Sequence, residues 1–436
     1  MSTRRDFIKK NALGGLFCAT GLPFLGLANI LQSKKVSLKL LSNIGEYNEI
    51  DWDEVRKQFL LDNDRCYMNA ASLGPSPQIV IEQMCEMYKD LETRCDERPP
   101  LVAAAHEKIA KFLNANSNEI AITRNTTEGM NIVARSLDLK AGDEILLTNH
   151  EHIGGAAPWI ALQKDIGVQI KLVNLDLSGR DNLQIIKDSL SEKTKVVSFS
   201  HLTCTTGMLL PAKEIVALCR SKGIYSCVDG AQSVGMIPVD LADMNPDFYA
   251  CSGHKWLLGP KGTGILFINE SVIEKCTPVF VGSHSDEKYD LDSLVLEYRN
   301  TAQREEYGTR NTPMVVGLSS AIDFISDIGI ENVAKRGREL TTHFYDGLSQ
   351  IPEVEILSPT EVEYFASIAT IRIKDKVNAS IPQKLFDKGK ENNGKYIRTR
   401  YIYENNLKGI RISFAICNSI NDVDYLLDSL KEIVKE

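Results

Sequence analysis

The sequence has no CxxC pair and no HExxH segment, so the usual zinc signatures are absent. Its 10 cysteines (Cys18, Cys66, Cys85, Cys95, Cys204, Cys219, Cys227, Cys251, Cys276 and Cys417) are scattered singly. In a chain this long, that pattern reads as small buried hydrophobes rather than a disulfide framework, and no metal is expected. Positive charge is not in surplus either. The 50 Lys+Arg stand against 58 Asp+Glu, a net charge of −8, which argues against a dedicated nucleic-acid binder. No apolar run reaches the ~20 residues of a membrane span, apart from the N-terminal stretch. Internal repeats and low-complexity linkers are missing. Gly259-Pro260-Lys261-Gly262-Thr263-Gly264 is glycine-rich, but it lacks the G-K-[ST] ending of a P-loop and precedes a strand, so it reads as a tight turn that presents Lys255. What remains is an ordinary globular composition, 43% hydrophobic and 25% charged over 436 residues. At ~100–200 residues per domain, there is room for two or three domains.

The N-terminus reads Thr3-Arg4-Arg5-Asp6-Phe7-Ile8-Lys9 and continues uncharged from Asn11 to Ser33. Paired arginines before an apolar stretch are the pattern of a twin-arginine export signal, assigned here to residues 1–33. The alternative is a slightly amphipathic helix on a cytoplasmic protein. The best cleavage candidate is Gly26-Leu27-Ala28, and Cys18 follows a poor lipobox. Export predicts a periplasmic or extracytoplasmic enzyme with no membrane span in its mature form. The route carries folded proteins, which suits an enzyme that acquires a cofactor in the cytoplasm.

From about residue 119, short Val- and Ile-rich runs alternate with helix-length segments: Glu119–Thr123, Glu144–Thr148, Gln169–Leu175, Lys195–His201, Tyr225–Asp229, Phe248–Cys251 and Gly264–Ile268. Nearly continuous apolar strands separated by helices describe a mostly parallel sheet buried on both faces. The domain reading is a large α/β domain over 65–310 and a smaller α+β domain over 311–436, joined by an N-terminal arm at 45–64. Within the smaller one, helices over Val315–Ser326 and Glu331–Ser349 lead to strands Ile368–Ile373 and Gly409–Phe414 and a closing helix Asn421–Val434.

Ligands of an open parallel sheet bind beyond the carboxyl ends of its strands, and the polar residues collect there. Arg124-Asn125-Thr126-Thr127-Glu128-Gly129 opens a helix after a strand; two hydroxyls and free backbone N–H groups at a helix start suit a phosphate, or serve as ordinary caps. Two other strands end in Asn149-His150-Glu151-His152 and in His201-Leu202-Thr203-Cys204-Thr205-Thr206-Gly207. The decisive stretches are Val228-Asp229-Gly230-Ala231-Gln232-Ser233 and Cys251-Ser252-Gly253-His254-Lys255-Trp256. An Asp that ends a buried strand needs a positive partner. The pair Asp229 and Lys255 is either a buried salt bridge or a pyridoxal-phosphate site, in which the Lys forms a Schiff base and the Asp keeps the pyridine nitrogen protonated.

Together with Tyr307-Gly308-Thr309 and Arg411-Ile412-Ser413-Phe414, these stretches resemble the class V aminotransferase family, whose members include cysteine desulfurases and isopenicillin N epimerase. The resemblance runs from about residue 65 to the end. It implies the aspartate-aminotransferase-like pyridoxal-phosphate fold of type I, a seven-stranded mostly parallel sheet with a small α+β domain, and a homodimer acting on an amino acid. By position, Lys255 is the Schiff-base lysine, Asp229 the pyridinium partner and Gln232 a donor to the ring hydroxyl. Thr127, Ser252 and His254 hold the phosphate, joined by Thr309 of a second copy. His152 stacks on the ring, although the spacing to Pro158-Trp159 leaves Ile153 as a competitor. Thr203 approaches the ring oxygen, and Arg411 grips the substrate carboxylate.

One departure stands out: Lys374 to Lys408, where desulfurases carry a nucleophilic Cys, has none. Persulfide transfer to the protein is therefore not expected. The stretch Thr148–His152 and Arg398-Thr399-Arg400 look more like the isopenicillin N epimerase-like branch. The expectation is an enzyme acting at Cα of an amino acid, with epimerisation first, C–S lysis or transamination as alternatives, and a non-catalytic binding protein as the remote one.

Overall fold

The computed structural model describes residues 50–436, so the proposed export signal lies outside the described residues. After a short helix Trp52–Arg56 comes β1 (Arg65–Tyr67). The large sheet then takes β2 (Ile120–Thr123), β3 (Glu144–Thr148), β4 (Gln169–Val173), β5 (Thr194–Ser200), β6 (Tyr225–Asp229), β7 (Phe248–Ser252) and β8 (Gly264–Ile268). Its spatial order is β2-β8-β7-β6-β5-β3-β4, seven strands, with only β8 antiparallel to its neighbours. This is the architecture expected from the alternating apolar runs.

Successive side chains of a strand point to opposite faces, and here both faces are covered. Leu146 joins one apolar core with Val197, Phe199 and Val228, while Ile145 and Leu147 join the other with Val196 and Cys227. Six strands share one direction, so the segments after Thr123, Thr148, Ser200, Asp229 and Ser252 all emerge at one edge of the sheet.

Two elements had no clear sequence signature. A hairpin of β9 (Asp286–Asp290) and β10 (Val295–Tyr298) is too polar in its first strand to read as one. The second sheet, β11 (Val354–Ile356), β12 (Ile368–Ile373), β14 (Arg400–Ile402) and β15 (Gly409–Ser413), is wholly antiparallel and wider than two strands. A further strand, β13 (Tyr396–Arg398), pairs in parallel with β1. Cys66 and Met68 sit in the apolar core of this second sheet, with Ile410, Ile412 and Phe414. The residues just after 65, which the sequence groups with the large domain, therefore pack into the core of the second sheet. Among the described residues, no single helix is long and apolar enough to cross a membrane.

Candidate active site

Register fixes the centre of the site. Asp229 ends β6 opposite Ser200 on one side and Ala250 on the other, and Lys255 follows β7 in a turn closed by Leu258 N–H to the Lys255 carbonyl at 3.2 Å. Gly74 presses on that turn from the N-terminal segment. Its N–H donates to the His254 carbonyl at 2.8 Å, and a Cβ there would collide with the Lys255 carbonyl oxygen. Burial lowers the Lys255 ammonium from its usual range, with Asp229 the strongest charge holding it up. Burial likewise raises the Asp229 carboxyl, against the pull of Lys255. Each group thus leans toward its neutral form, which favours a lysine amine able to act as nucleophile and base.

Asp229 also shows what is missing around it. It is 5% exposed, its Oδ1 accepts from Ala231 N–H at 2.8 Å, and Oδ2 has no donor among the described residues. A buried carboxylate with one backbone donor leaves room for a strong N–H donor. At the opposite end, Thr126 and Thr127 open the helix Thr126–Ser136, where Asn125 already caps Glu128 N–H at 2.9 Å. Thr126 Oγ1 pairs with Ser252 Oγ at 2.6 Å, which ties the helix start to the end of β7. A Cβ on Gly154 would collide with Thr127 Oγ1 and stand 3.1 Å from His152 Nδ1, so the threonine and the histidine are neighbours. A helix N-terminus with hydroxyls suits a phosphate dianion. The acceptor-poor phosphate end and the donor-poor carboxylate end, with the lysine near the latter, fit pyridoxal phosphate.

His152 lies between the two ends. Its Nδ1 accepts from Gly154 N–H at 3.0 Å, so the neutral ring carries its proton on Nε2, and burial and Lys255 push it down to about 4. Ile153, its competitor, is 69% exposed. His254 is half-buried, with Nδ1 3.4 Å from the Thr263 carbonyl; burial and Lys255 lower it, and an adjacent phosphate would raise it again.

Gln232 is fixed on both sides. Its Oε1 accepts from Trp256 Nε1 at 2.8 Å and its Nε2 donates to the Ala71 carbonyl at 3.0 Å, which leaves one N–H for a ring hydroxyl. Thr203 is fully buried in the turn after β5. Its hydroxyl is engaged inside its own turn, accepting from Met208 N–H at 3.0 Å and pairing with Thr206 Oγ1 at 3.0 Å. Thr309 is not brought to the site within one chain: it is exposed, beside a Gly308 whose N–H donates to the Ser283 carbonyl at 2.8 Å.

Arg411 is 1% exposed and, among the described residues, has no carboxylate partner. It donates to the Cys204 carbonyl at 2.8 Å, to Asn69 Oδ1 at 3.2 Å and to Ser72 Oγ at 2.7 Å, and its Nε has no partner. Burial lowers it to about 10, which still leaves it charged at neutral pH. Ser413, on the same face, reaches the same N-terminal segment through the Met68 carbonyl at 3.2 Å, while Ile412 and Phe414 enter the core. A buried guanidinium held only by neutral acceptors and lacking an anion is arranged to receive a carboxylate.

Sequence reasoning gave no role to Glu151. Its carboxylate accepts from Thr148 Oγ1, from Ser200 N–H at 3.1 Å and from Ser200 Oγ at 2.7 Å. A Cβ at Gly155 would stand 3.0 Å from Asp229 Oδ2 and 3.7 Å from Glu151 Oε2, so the two acids converge. Burial, and secondarily the Asp229 charge, push Glu151 up to about 7. A carboxyl whose folded value is raised stabilises the fold only while protonated. Its contribution is lost as pH climbs from the ordinary carboxylate value through 7, on the order of 3 kcal/mol at about 1.4 kcal/mol per pKa unit. Glu151→Gln should therefore flatten the fall in melting temperature of the cofactor-stripped protein between about pH 5 and pH 8. Parallel curves for the two proteins would show that Glu151 is ionised throughout. The thiol of Cys204, whose carbonyl accepts from Arg411, is 3% exposed and burial raises it to about 11, which disfavours the nucleophilic thiolate.

A family model described as aminotransferase class V matches residues 66–426. A probable cysteine desulfurase of Methanothermobacter thermautotrophicus is 33% identical over 311 residues, covering 70% of this chain and 77% of that protein. Among solved structures, the cysteine desulfurase of Thermococcus onnurineus NA1 superposes with a TM-score of 0.79 at 26% identity, over 88% of this chain and 98% of that one. The cystine C–S lyase C-DES, solved with its product cysteine persulfide, gives 0.78 at 29% identity over 84% and 97% of the two chains. A variant of C-DES was solved with glycine covalently linked to its pyridoxal-phosphate cofactor.

Proposed function

Because the chain belongs to the class V aminotransferase family and uses pyridoxal 5′-phosphate, we propose that it is a C–S lyase. It would eliminate the β-sulfur substituent of an amino acid and release the sulfur to solution. The observation that carries this reading is a site that has its Lys255, Asp229 and Arg411 but no Cys anywhere from Lys374 to Lys408. The similarity to desulfurases and to a C–S lyase favours this alternative over the epimerisation that the sequence placed first.

Bound at Lys255, the cofactor supplies an electron sink for the carbanion formed at the substrate Cα. The chain's own residues do the rest. Arg411 takes the α-carboxylate through its unpartnered Nε and an Nη, which fixes the α-carbon within reach of Lys255. The Lys255 amine, lowered by burial, accepts the Cα proton. Asp229 keeps the ring nitrogen's positive charge in place. The Cβ–S bond then breaks with its electron pair on sulfur, which leaves as thiolate, and water converts the remaining enamine to keto acid and ammonia.

Incubating the holoenzyme in heavy water with a panel of amino acids tests this. Keto acid and thiol released in equal amounts from β-thio substrates are expected. Cα exchange with inversion and no keto acid would mean epimerisation, and keto acid without thiol would mean transamination.

Two proposals about cellular form accompany this. We propose a homodimer in which the exposed Thr309 of one copy completes the phosphate site of the other. We also propose twin-arginine export. Arg4→Lys with Arg5→Lys should hold the protein in the cytoplasm while its melting temperature stays unchanged. Unchanged fractionation between compartments would refute export.

A further inference from the structure

We propose that Arg400 and Glu404 form a second subsite that takes the distal head of a two-headed amino acid, in which a short thioether or disulfide linker joins two α-amino-acid ends. The inference rests on the reading above that Arg411 and Lys255 engage the first head.

The placement follows from strand register. Arg400 of β14 is the direct cross-strand partner of Arg411 of β15. Antiparallel partners project from the same face with Cβ atoms about 4.5–5.5 Å apart, and like charges so placed repel unless anions separate them. One anion is present: Glu404 forms an ion pair with Arg400, and its carboxylate also accepts from Tyr403 N–H at 3.1 Å. The second anion seat, at Arg411, belongs to the substrate.

The ion pair faces the site rather than bulk solvent. Its side chains are 26% and 14% exposed. The adjoining Asn405 Nδ2 meets the buried His150 Nε2 at 3.1 Å, which pins this loop over the end of β3. The charges of both Arg400 and Glu404 act on His152 and on Cys204.

The chemistry then selects the occupant. Glu404 engages only Nη2 of Arg400, so a lone distal carboxylate would use the remaining guanidinium donors and leave Glu404 without a new partner. A lone ammonium would use Glu404 and leave those guanidinium donors unfilled. A head carrying both an ammonium and a carboxylate satisfies the pair without stranding either charge, and an apolar tail satisfies neither. The subsite therefore matches the amino-acid head itself.

The probes are L-lanthionine, with two identical heads and no redox chemistry, and S-methyl-L-cysteine, with one. Dissociation constants come from the change each produces in the visible absorbance of the holoenzyme, alongside keto-acid release. We expect lanthionine to bind at least about tenfold tighter than S-methylcysteine, the scale of a charged hydrogen-bond pair. Arg400→Gln and Glu404→Gln should each collapse that ratio by about tenfold, whereas Lys408→Gln, on the same loop, should keep it. A wild-type ratio near one, or variants that lose affinity for both probes equally with a lowered melting temperature, would overturn the subsite and make the pair a loop clamp. If neither probe changes the absorbance or yields keto acid, the Cα reading itself fails and the subsite with it.

Discussion

Lys255→Ala should lose about 10²–10⁴-fold in turnover, the contribution of a positioned general base, together with the borohydride-reducible yellow chromophore of the wild type. The geometry supports both losses. Lys255 is held in its turn between Gly74 and the end of β7, and among the described residues it is the one lysine whose charge acts on Asp229. Burial keeps its amine lowered, which a base needs and a salt-bridge lysine does not. Absorbance before and after borohydride, with initial rates on any active amino acid, checks the prediction. An Ala variant with the same reducible chromophore would remove Lys255 from the chemistry.

Arg411→Lys should weaken kcat/KM by roughly 1.5–3 kcal/mol, about 10- to 150-fold, the range for a charged hydrogen bond. Lysine can retain the charge but not the planar fork. Three neutral acceptors, Cys204 O, Asn69 Oδ1 and Ser72 Oγ, already hold the guanidinium. The substitution also removes some of these bonds, so a moderate fall in melting temperature should accompany it, with the visible spectrum of bound cofactor unchanged. Steady-state kinetics beside a thermal melt and an absorbance spectrum separates the effects. Wild-type kinetics would exclude Arg411 from substrate binding, and loss of fold with no separable kinetic defect would make it structural.

The parts of this site that could be read from sequence are those set by short-range pattern. Asp229 ends an apolar run and Lys255 follows the next one, so parallel strand pairing alone brings them to one edge of the sheet. The alternation Arg411-Ile412-Ser413-Phe414 likewise separated the site face from the core face. The parts that stayed hidden depend on contacts between distant segments. Asn69 and Arg411 are 342 residues apart in sequence, and nothing local in Asn69 announces that it positions a guanidinium. Glu151 looked like an ordinary polar residue in a histidine-rich turn because its raised pKa arises only when β5 and Asp229 close around it. The strand Arg65–Tyr67 had no counterpart in the sequence pattern, because parallel pairing with Tyr396–Arg398 leaves no local trace.

On this mechanism sulfur leaves the site without passing through a protein thiol. The most direct measurement is the product and protein balance when purified holoenzyme turns over L-cysteine with no added thiol. Pyruvate, ammonia and sulfide in equal amounts, with an intact protein mass that does not change, are the result predicted. Alanine in place of pyruvate, with the protein gaining the mass of a sulfur atom on one of its cysteines, would contradict it.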